Sequence, residues 1–228
     1  MIVIRSKELR SFIRVAIPFA AVPALVTAGA LIFDHNKHII ISIGVAIMAL
    51  LVFVSGFERK NTGTRRLVIA AVMTALCFAG RFIPVLKPVA ALTIISGIYL
   101  GGETGFLVGA MSAVLSNIYF GQGPWTAFQM LAWGLIGLIA GYLSESLKKS
   151  RILLIVYGAV SGIAYSFIMD IWTVLWYNSG FSIKLYLAAL QTAILYTLSY
   201  VLSNVLFLYL LGKPFGEKLQ RIKVKYGV

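Results

Sequence analysis

The feature that most constrains this chain is a succession of long apolar runs separated by short polar joints. A helix needs about 20 apolar residues to cross the roughly 30 Å of bilayer hydrocarbon, because each residue rises about 1.5 Å. We read eight candidate spans, at residues 12–33, 38–57, 67–84, 89–100, 104–120, 125–147, 152–176 and 185–211. The fourth is short, so it must tilt, begin nearer Lys87 or lie partly inside the bundle. The last is long enough to tilt or to continue into the cytoplasm. The sequence therefore predicts an all-α integral membrane protein.

Composition supports the membrane class. Of the 228 residues, 60% are hydrophobic and 12% are charged, whereas soluble domains average roughly 45–50% apolar and about 25% charged residues. The net charge of +13 would suit a nucleic-acid-binding protein. The basic residues nevertheless cluster at the ends of apolar runs, which is typical of membrane topology and not of a binding groove.

The distribution of lysine and arginine predicts the orientation. With eight spans, four of the 20 basic residues fall on one side, and these are Lys37, Arg81, Lys87 and Lys184. The other basic residues share the side of both termini. Because basic residues are enriched in cytoplasmic loops, both termini are predicted to be cytoplasmic. A polar stretch at 58–66 divides the chain into a two-helix membrane extension, 1–58, and a six-helix core, 64–228.

Small residues recur at intervals of four in several spans. Such spacing lets helix backbones approach closely in a membrane, where apolar surface alone gives little attraction. For the glycines, at 97, 101, 105, 109, 137, 141, 158 and 162, we expect packing inside the chain. For Ala71, Ala75 and Ala79, packing inside the chain and docking on a partner are both open.

The most unusual segment runs from Asn117 to Gln129, around a Gly-Gln-Gly-Pro turn. The turn should bring amide and aromatic side chains to one outer corner, and these are Asn117, Tyr119, Gln122, Trp125 and Gln129. Amides both donate and accept hydrogen bonds, and indoles offer flat apolar area. The mixture predicts a site for a neutral, polar, ring-containing ligand. It does not suit an ion channel, which needs rings of charge or carbonyl groups.

Five further candidate residues lie on the same predicted outer side. Asp170 is an acidic residue deep in an apolar run, and such residues usually face a cavity or a partner. It is a candidate ligand residue, or the partner of Arg81 in a structural pair. Trp172 and Trp176 either contact the ligand or anchor the helix at the interface. Arg81 and Lys87 could meet one carboxylate or phosphate of a ligand.

At these residues the sequence resembles the substrate-binding S components of energy-coupling factor (ECF) transporters. The resemblance lies in Arg81-Phe-Ile-Pro, in Leu86-Lys-Pro-Val-Ala-Ala-Leu, and in the segment that begins at Gly105-Phe-Leu-Val-Gly-Ala. It continues through Gly121-Gln-Gly-Pro-Trp to Trp133-Gly-Leu-Ile-Gly. It covers the six helices from about Thr64 onward, and the two leading helices depart from the six-helix pattern.

The resemblance implies a bacterial multi-pass protein of the cytoplasmic membrane that binds a vitamin at the outer face. It implies coupling to a membrane T component and two ATPase subunits, and docking of Ala71, Ala75 and Ala79 on the T component. The subgroup most resembled is the cobalamin-specific one, so cobalamin is the expected substrate. The alternatives are riboflavin, thiamine, biotin and a queuosine precursor.

The rival class is an intramembrane enzyme. Such an enzyme needs paired acids or a nucleophile beside a base, and Asp170 has no second acid in the apolar runs. No Gly-x-x-x-x-Gly-Lys-Ser/Thr phosphate loop occurs, so ATP would be used by partner subunits. We therefore expect a transport subunit without a cofactor of its own. His35 and His38 share one loop without further ligands, which predicts no metal site.

Overall fold

Helices form every regular element in the described part of the chain. The computed structural model describes residues 6–22, the positions 24, 25, 28, 43–45, 47, 48 and 51, and the ranges 64–177 and 181–226. The helices are α1 (Lys7–Ala16), which continues into a π-helical turn at Ile17–Ala21, α2 (Thr64–Gly80), α3 (Val89–Leu100), α4 (Gly102–Phe120), α5 (Trp125–Tyr142), α6 (Ser144–Lys149), α7 (Arg151–Tyr177), α8 (Ile183–Thr192) and α9 (Ile194–Tyr226). The all-α class is confirmed for these residues.

Three of the described helices are long and apolar enough to cross a membrane. They are α5, α7 and the segment Ile194–Lys225 of α9. Parts of the predicted spans 12–33 and 38–57 lie outside the described residues, as do His35 and His38. The eight-span count and the two-helix extension therefore stay predictions.

Helix α3 lies at the centre of the bundle. It contacts α2, α4, α5, α7 and α9, and all of its residues except Tyr99 are buried. Its 12 residues rise about 18 Å, so the helix by itself is shorter than the roughly 30 Å of hydrocarbon. A helix that is apolar all round is stable where protein surrounds it on every side. The short fourth span is thus a buried central helix.

Glycines bring α3, α4 and α5 into backbone contact. A Cβ built on Gly105 would lie 2.6 Å from the carbonyl oxygen of Gly137 and 2.6 Å from the Cα of Gly97. In the same way, a Cβ on Gly162 of α7 would lie 2.8 Å from the backbone nitrogen of Val201 on α9. The expected role of these glycines in packing within the chain is confirmed.

Helix α7 has apolar residues on its outer face and small or polar residues on its inner face. Its exposed side chains include Ile152, Val156, Val160, Ile163 and Phe167, which recur every three or four residues. The inner face carries Gly158, Ser161, Gly162 and Ser166, all buried. This arrangement reverses that of a soluble helix, because lipid and not water meets the outer face.

Three predicted spans have different ends in the structure. The span predicted at 67–84 ends as a helix at Gly80, and 81–85 form turns and bends that include Pro84, before Pro88 and the start of α3. The span predicted at 125–147 ends at Tyr142, and α6 follows as a separate short helix.

The span predicted at 185–211 is broken at Ala193, where ψ is 0°, into α8 and α9. Hydroxyl groups flank the break. Thr192 Oγ1 donates to the carbonyl of Ala189, and Thr197 Oγ1 donates to that of Ala193. Such bonds compete with the helical ladder and bend helices. Helix α9 then continues past residue 211 to Tyr226, which confirms that the helix is longer than the predicted span.

The glycine contact predicts an asymmetry between two alanine substitutions. Gly105→Ala should lower the stability by about 1–3 kcal/mol, because the new methyl group meets backbone atoms that cannot rotate away. Gly212→Ala should cost less, because its Cβ would lie 3.2 Å from the flexible end of Leu154. Heating with a fluorogenic maleimide measures unfolding, because Cys77 is the single cysteine and is fully buried. Equal melting temperatures for the two variants would contradict the close approach.

Candidate functional site

A hydrogen-bonded series of polar side chains crosses four elements at one end of the bundle. Arg81, in the loop after α2, donates to Ser116 Oγ and, over 2.7 Å, to Asn117 Oδ1 on α4. The Asn117 amide donates to Gln129 Oε1 on α5 over 2.7 Å. Gln129 in turn donates to the Tyr165 hydroxyl on α7 over 3.1 Å. Three of the predicted site residues, Arg81, Asn117 and Gln129, therefore lie in one connected group.

Asn117 is the centre of this group. Its side chain is almost fully buried, and its amide nitrogen also donates to Thr126 Oγ1 over 2.8 Å. A buried amide without partners costs several kcal/mol in an apolar environment. Here Arg81, Gln129 and Thr126 use both ends of the amide, so the group can be buried without that cost.

A small cavity of about 80 Å³ lies beside this group. It is lined by Arg81, Lys87, Val89, Ala90, Gln129, Trp133, Gly162, Tyr165, Tyr200 and Asn204. Two of the lining side chains are cationic, two are amides and none is a carboxylate. The cavity therefore offers hydrogen-bond donors and positive charge to any group that enters it.

Aromatic rings form one wall of the cavity. The rings of Trp133 and Tyr165 stack with 5.2 Å between centroids and 8° between planes, and Tyr200 meets Tyr165 edge-on at 4.8 Å. The Arg81 guanidinium lies 5.6 Å from the Trp133 ring. Flat rings beside fixed polar groups are typical of sites for ring-containing ligands.

Lys87 lies in the same loop as Arg81, and its backbone carbonyl accepts a hydrogen bond from Ser203 on α9. Burial, together with the neighbouring Arg81 guanidinium, lowers the pKa of Lys87 below its ordinary value. A ligand acceptor or anion placed between the two cations would oppose both effects and favour the charged lysine.

Tyr165, Tyr200 and Asn204 line the cavity but were not predicted as site residues. Tyr200 and Asn204 are one turn apart on α9, and the Asn204 amide donates to the carbonyl of Gly158. A polar pair spaced by four within an apolar helix was the signal that could have identified them. Tyr165 carries no such signal, because tyrosine is common in membrane helices.

Tyr119 and Gln122 lie away from the cavity lining. Tyr119 is 67% exposed and packs against Phe82 and Phe120 on the surface, with ring centroids 5.0 Å away in each case. Gln122 is exposed, donates to the carbonyl of Val114 and accepts from Thr126. The residues of the predicted corner are therefore divided. Asn117 and Gln129 point inward, whereas Tyr119 and Gln122 lie at the surface and do not line the cavity.

The three predicted site tryptophans form a second group. Trp172 is buried and lies 6.4 Å from Trp125 and 4.9 Å from Trp176, between ring centroids. It belongs to an apolar cluster that includes Phe128 and the N-terminal residues Val22 and Val45. Trp125 and Trp172 pack α5 and α7 against the N-terminal segment, Trp176 is exposed, and none of the three lines the polar cavity.

Asp170 is also outside the cavity lining. It is 7% exposed, and its Oδ2 atom is buried without a hydrogen-bond partner. The structural pair with Arg81 is absent from the described contacts, because Arg81 donates to Ser116 and Asn117 instead. An ionised carboxylate in the middle of a membrane helix costs roughly 2.5–3.5 kcal/mol on insertion scales.

The alanine stripe lies on an open face. Ala71, Ala75 and Ala79 are all exposed. Two of them line an apolar groove of about 430 Å³ between α2 and α4, with walls formed by Leu67, Ala70, Ala71, Thr74, Ala75, Phe78, Leu107, Met111 and Leu115. No described helix of the chain fills this groove.

Residues 61–221 match the family described as the S component of ECF-type riboflavin transporters. The chain belongs to this family of S components. No curated protein and no solved structure matches the chain. Membership makes it a membrane-embedded transport subunit and not an enzyme, and it implies partnership with the T and ATPase components of an ECF transporter.

The buried amide predicts unequal effects on stability. Asn117→Ala should cost about 1–3 kcal/mol, because Arg81 and Gln129 each lose a partner in a buried environment. Gln122→Ala should cost less than about 1 kcal/mol, because water can replace the bonds of an exposed amide. Thermal unfolding followed through Cys77 compares them. A Gln122 variant as unstable as the Asn117 variant would contradict the central position of Asn117.

Proposed function

We propose that this S component binds a vitamin-like ligand from outside in the cavity beside Arg81 and Gln129. Coupled to a T component and two ATPase subunits, it would deliver the ligand inward. The observation that carries the proposal is the cavity itself, where two cations, two amides and three aromatic rings converge in a membrane bundle. The proposal requires both termini to be cytoplasmic, so that Arg81 and Lys87 face outside.

The ligand that the lining favours is planar, uncharged or weakly anionic, and rich in hydrogen-bond acceptors. Trp133, Tyr165 and Tyr200 offer ring faces and edges, whereas Arg81, Lys87 and Gln129 offer donors. Riboflavin has a flat tricyclic ring with carbonyl acceptors and a hydroxylated chain, and the family match favours it. Cobalamin, which the sequence resemblance predicted, finds no support in the comparisons and is a much bulkier ligand.

Binding also requires the cavity to enlarge. At about 80 Å³ it is well below the roughly 300–1,000 Å³ typical of ligand pockets. We propose that the loop at 81–88 moves, because it carries Arg81 and Lys87 on a short connection between α2 and α3. Val85 in this loop has φ of 63°, a left-handed conformation that is strained for a β-branched residue.

Binding by the purified chain tests the ligand proposal. Riboflavin titrated by calorimetry should bind, and Gln129→Ala should weaken its affinity by about 2–12-fold, the equivalent of one lost hydrogen bond of 0.5–1.5 kcal/mol. Gln220→Ala, at an exposed position near the end of α9, is the matched control and should bind as the wild type does.

Two outcomes would contradict this proposal. Equal riboflavin affinity of the Gln129 and Gln220 variants would show that the ligand binds outside the cavity. Tight binding of cyanocobalamin without binding of riboflavin would reinstate the corrinoid as the substrate.

For the partner, we propose that the groove between α2 and α4 receives a helix of the T component. The groove is apolar, its floor contains Ala71 and Ala75, and small residues allow a partner backbone to approach closely. An exposed face needs no rearrangement to accept such a helix, and lipid covers it when the partner is absent.

Replacing one alanine should separate assembly from ligand binding. Ala75→Trp should leave ligand binding by the purified chain nearly unaltered but weaken assembly by about 1–3 kcal/mol, because the indole would fill the groove. Ala188→Trp, at an exposed alanine of α8, should assemble normally. Co-purification with the partners and ATP-driven uptake are the measurements. Wild-type assembly of the Ala75 variant would exclude the groove as the docking site.

A further inference from the structure

A buried carboxylate oxygen on α7 has no partner among the described contacts. Asp170 is 7% exposed, and its Oδ2 atom neither accepts nor donates a hydrogen bond. This oxygen is without a hydrogen bond in either protonation state, because the ionised oxygen lacks a donor and the protonated oxygen lacks an acceptor. A buried polar atom of this kind in a native protein commonly indicates a bound water or ion.

Two hydroxyl oxygens lie beside this carboxylate. Ser166 lies one turn before Asp170 on α7, so the two side chains are neighbours on one face of the helix. The Ser166 oxygen also lies 2.6 Å from Thr197 Oγ1 on α9. Each hydroxyl oxygen keeps lone pairs after its proton is donated. The three side chains therefore bring negative charge and neutral oxygen ligands together across the α7–α9 contact.

The groups around Asp170 do not neutralise it. Arg81 donates to Ser116 and Asn117, and Lys184 on α8 is exposed. The Tyr186 hydroxyl, also on α8, donates to the carbonyl of Phe167. No ion pair to Asp170 is present among the described residues.

The break between α8 and α9 lies one turn before Thr197, with Ala193 at ψ of 0°. In membrane proteins, interrupted helices commonly form the sites at which small cations are held, because the break exposes carbonyl groups to a ligand. The carboxylate, the hydroxyl pair and the helix break are thus in the same region.

We propose that Asp170, Ser166 and Thr197 bind a small monovalent metal cation of the sodium class. One carboxylate balances one positive charge, whereas a divalent ion would leave an uncompensated charge inside the membrane. Mg²⁺ would in addition demand near-octahedral coordination and retain its water. The bound cation would tie α7 to α9, the two helices that contribute Tyr165 and Tyr200 to the ligand cavity. This inference does not depend on which vitamin, if any, the cavity binds.

The test uses the full-length chain, purified in detergent without a vitamin. Unfolding is followed through Cys77 in NaCl, KCl or choline chloride at one ionic strength. Sodium should raise the melting temperature saturably, by about 2–5 °C at tenfold excess over the dissociation constant. Equilibrium dialysis with radioactive sodium should show one ion bound per chain.

Variants distinguish a specific site from a general salt effect. Asp170→Asn should lose the sodium-dependent shift and the bound tracer, whereas Glu145→Gln, which removes an exposed carboxylate of α6, should keep both. If Asp170→Asn does not fold, Thr197→Val retains the carboxylate and should need a several-fold higher sodium concentration for the same shift. Equal wild-type melting temperatures in all three salts without tracer binding would overturn the proposal. Methylammonium chloride is tested as a fourth salt, and stabilisation by it in place of sodium would also overturn the proposal, by showing that the carboxylate binds an organic amine.

Discussion

The close approach of α3 to its neighbours is the constraint on which the rest of the fold depends. A 12-residue helix is shorter than the bilayer hydrocarbon is thick, so its polar ends must be enclosed by longer helices. In lipid there is little hydrophobic force to achieve this, and dispersion between closely packed backbones must supply the attraction. Gly97, Gly105 and Gly137 permit that approach, and side chains at these positions would force the three helices apart. Enclosing α3 also aligns the ends of α4 and α5, on which Asn117 and Gln129 lie.

The polar group is stable only because its members satisfy one another. Arg81 is a cation near the end of an apolar helix, and Asn117 and Ser116 accept its hydrogen bonds. Because the Asn117 amide is then held by Gln129 and Thr126, each substitution should disturb several bonds and not one. Four elements, from the α2 loop to α7, are joined in this way. Asp170 is the exception, since one of its oxygens is left without a partner.

The sequence predicted most of the helices because lipid imposes a simple rule of length and hydropathy. Val89–Leu100 and the long helix of α7 agree closely with their predicted spans. The break at Ala193 was not predicted, because hydroxyl bonding within an apolar run leaves hydropathy unchanged. Arg81 and Gln129 were predictable from their depth, since polar side chains at one depth are conspicuous in apolar helices, and Lys87 was predictable from its charge on the outer side. It could not separate them from Trp172 or Tyr119, because depth gives no information on which way a side chain faces around the helix. Tyr165 and Tyr200 were not predicted, because their residue type gives no signal in a membrane helix. It is their position around the helix that brings them to the cavity.

Helix α2 belongs to both the proposed docking groove and the proposed ligand site. Its exposed face carries Ala71 and Ala75 in the apolar groove, and the loop at its end carries Arg81. The end of α2 is held against the start of α3, because a Cβ on Gly80 would lie 2.5 Å from Pro88 Cγ. A helix of 17 residues behaves as a nearly rigid rod of about 25 Å. A partner that tilted α2 through the groove would therefore carry Arg81 away from Asn117 and alter the cation at the cavity wall. Docking and ligand release would then both act through α2, and no coupling through other helices of the bundle would be needed.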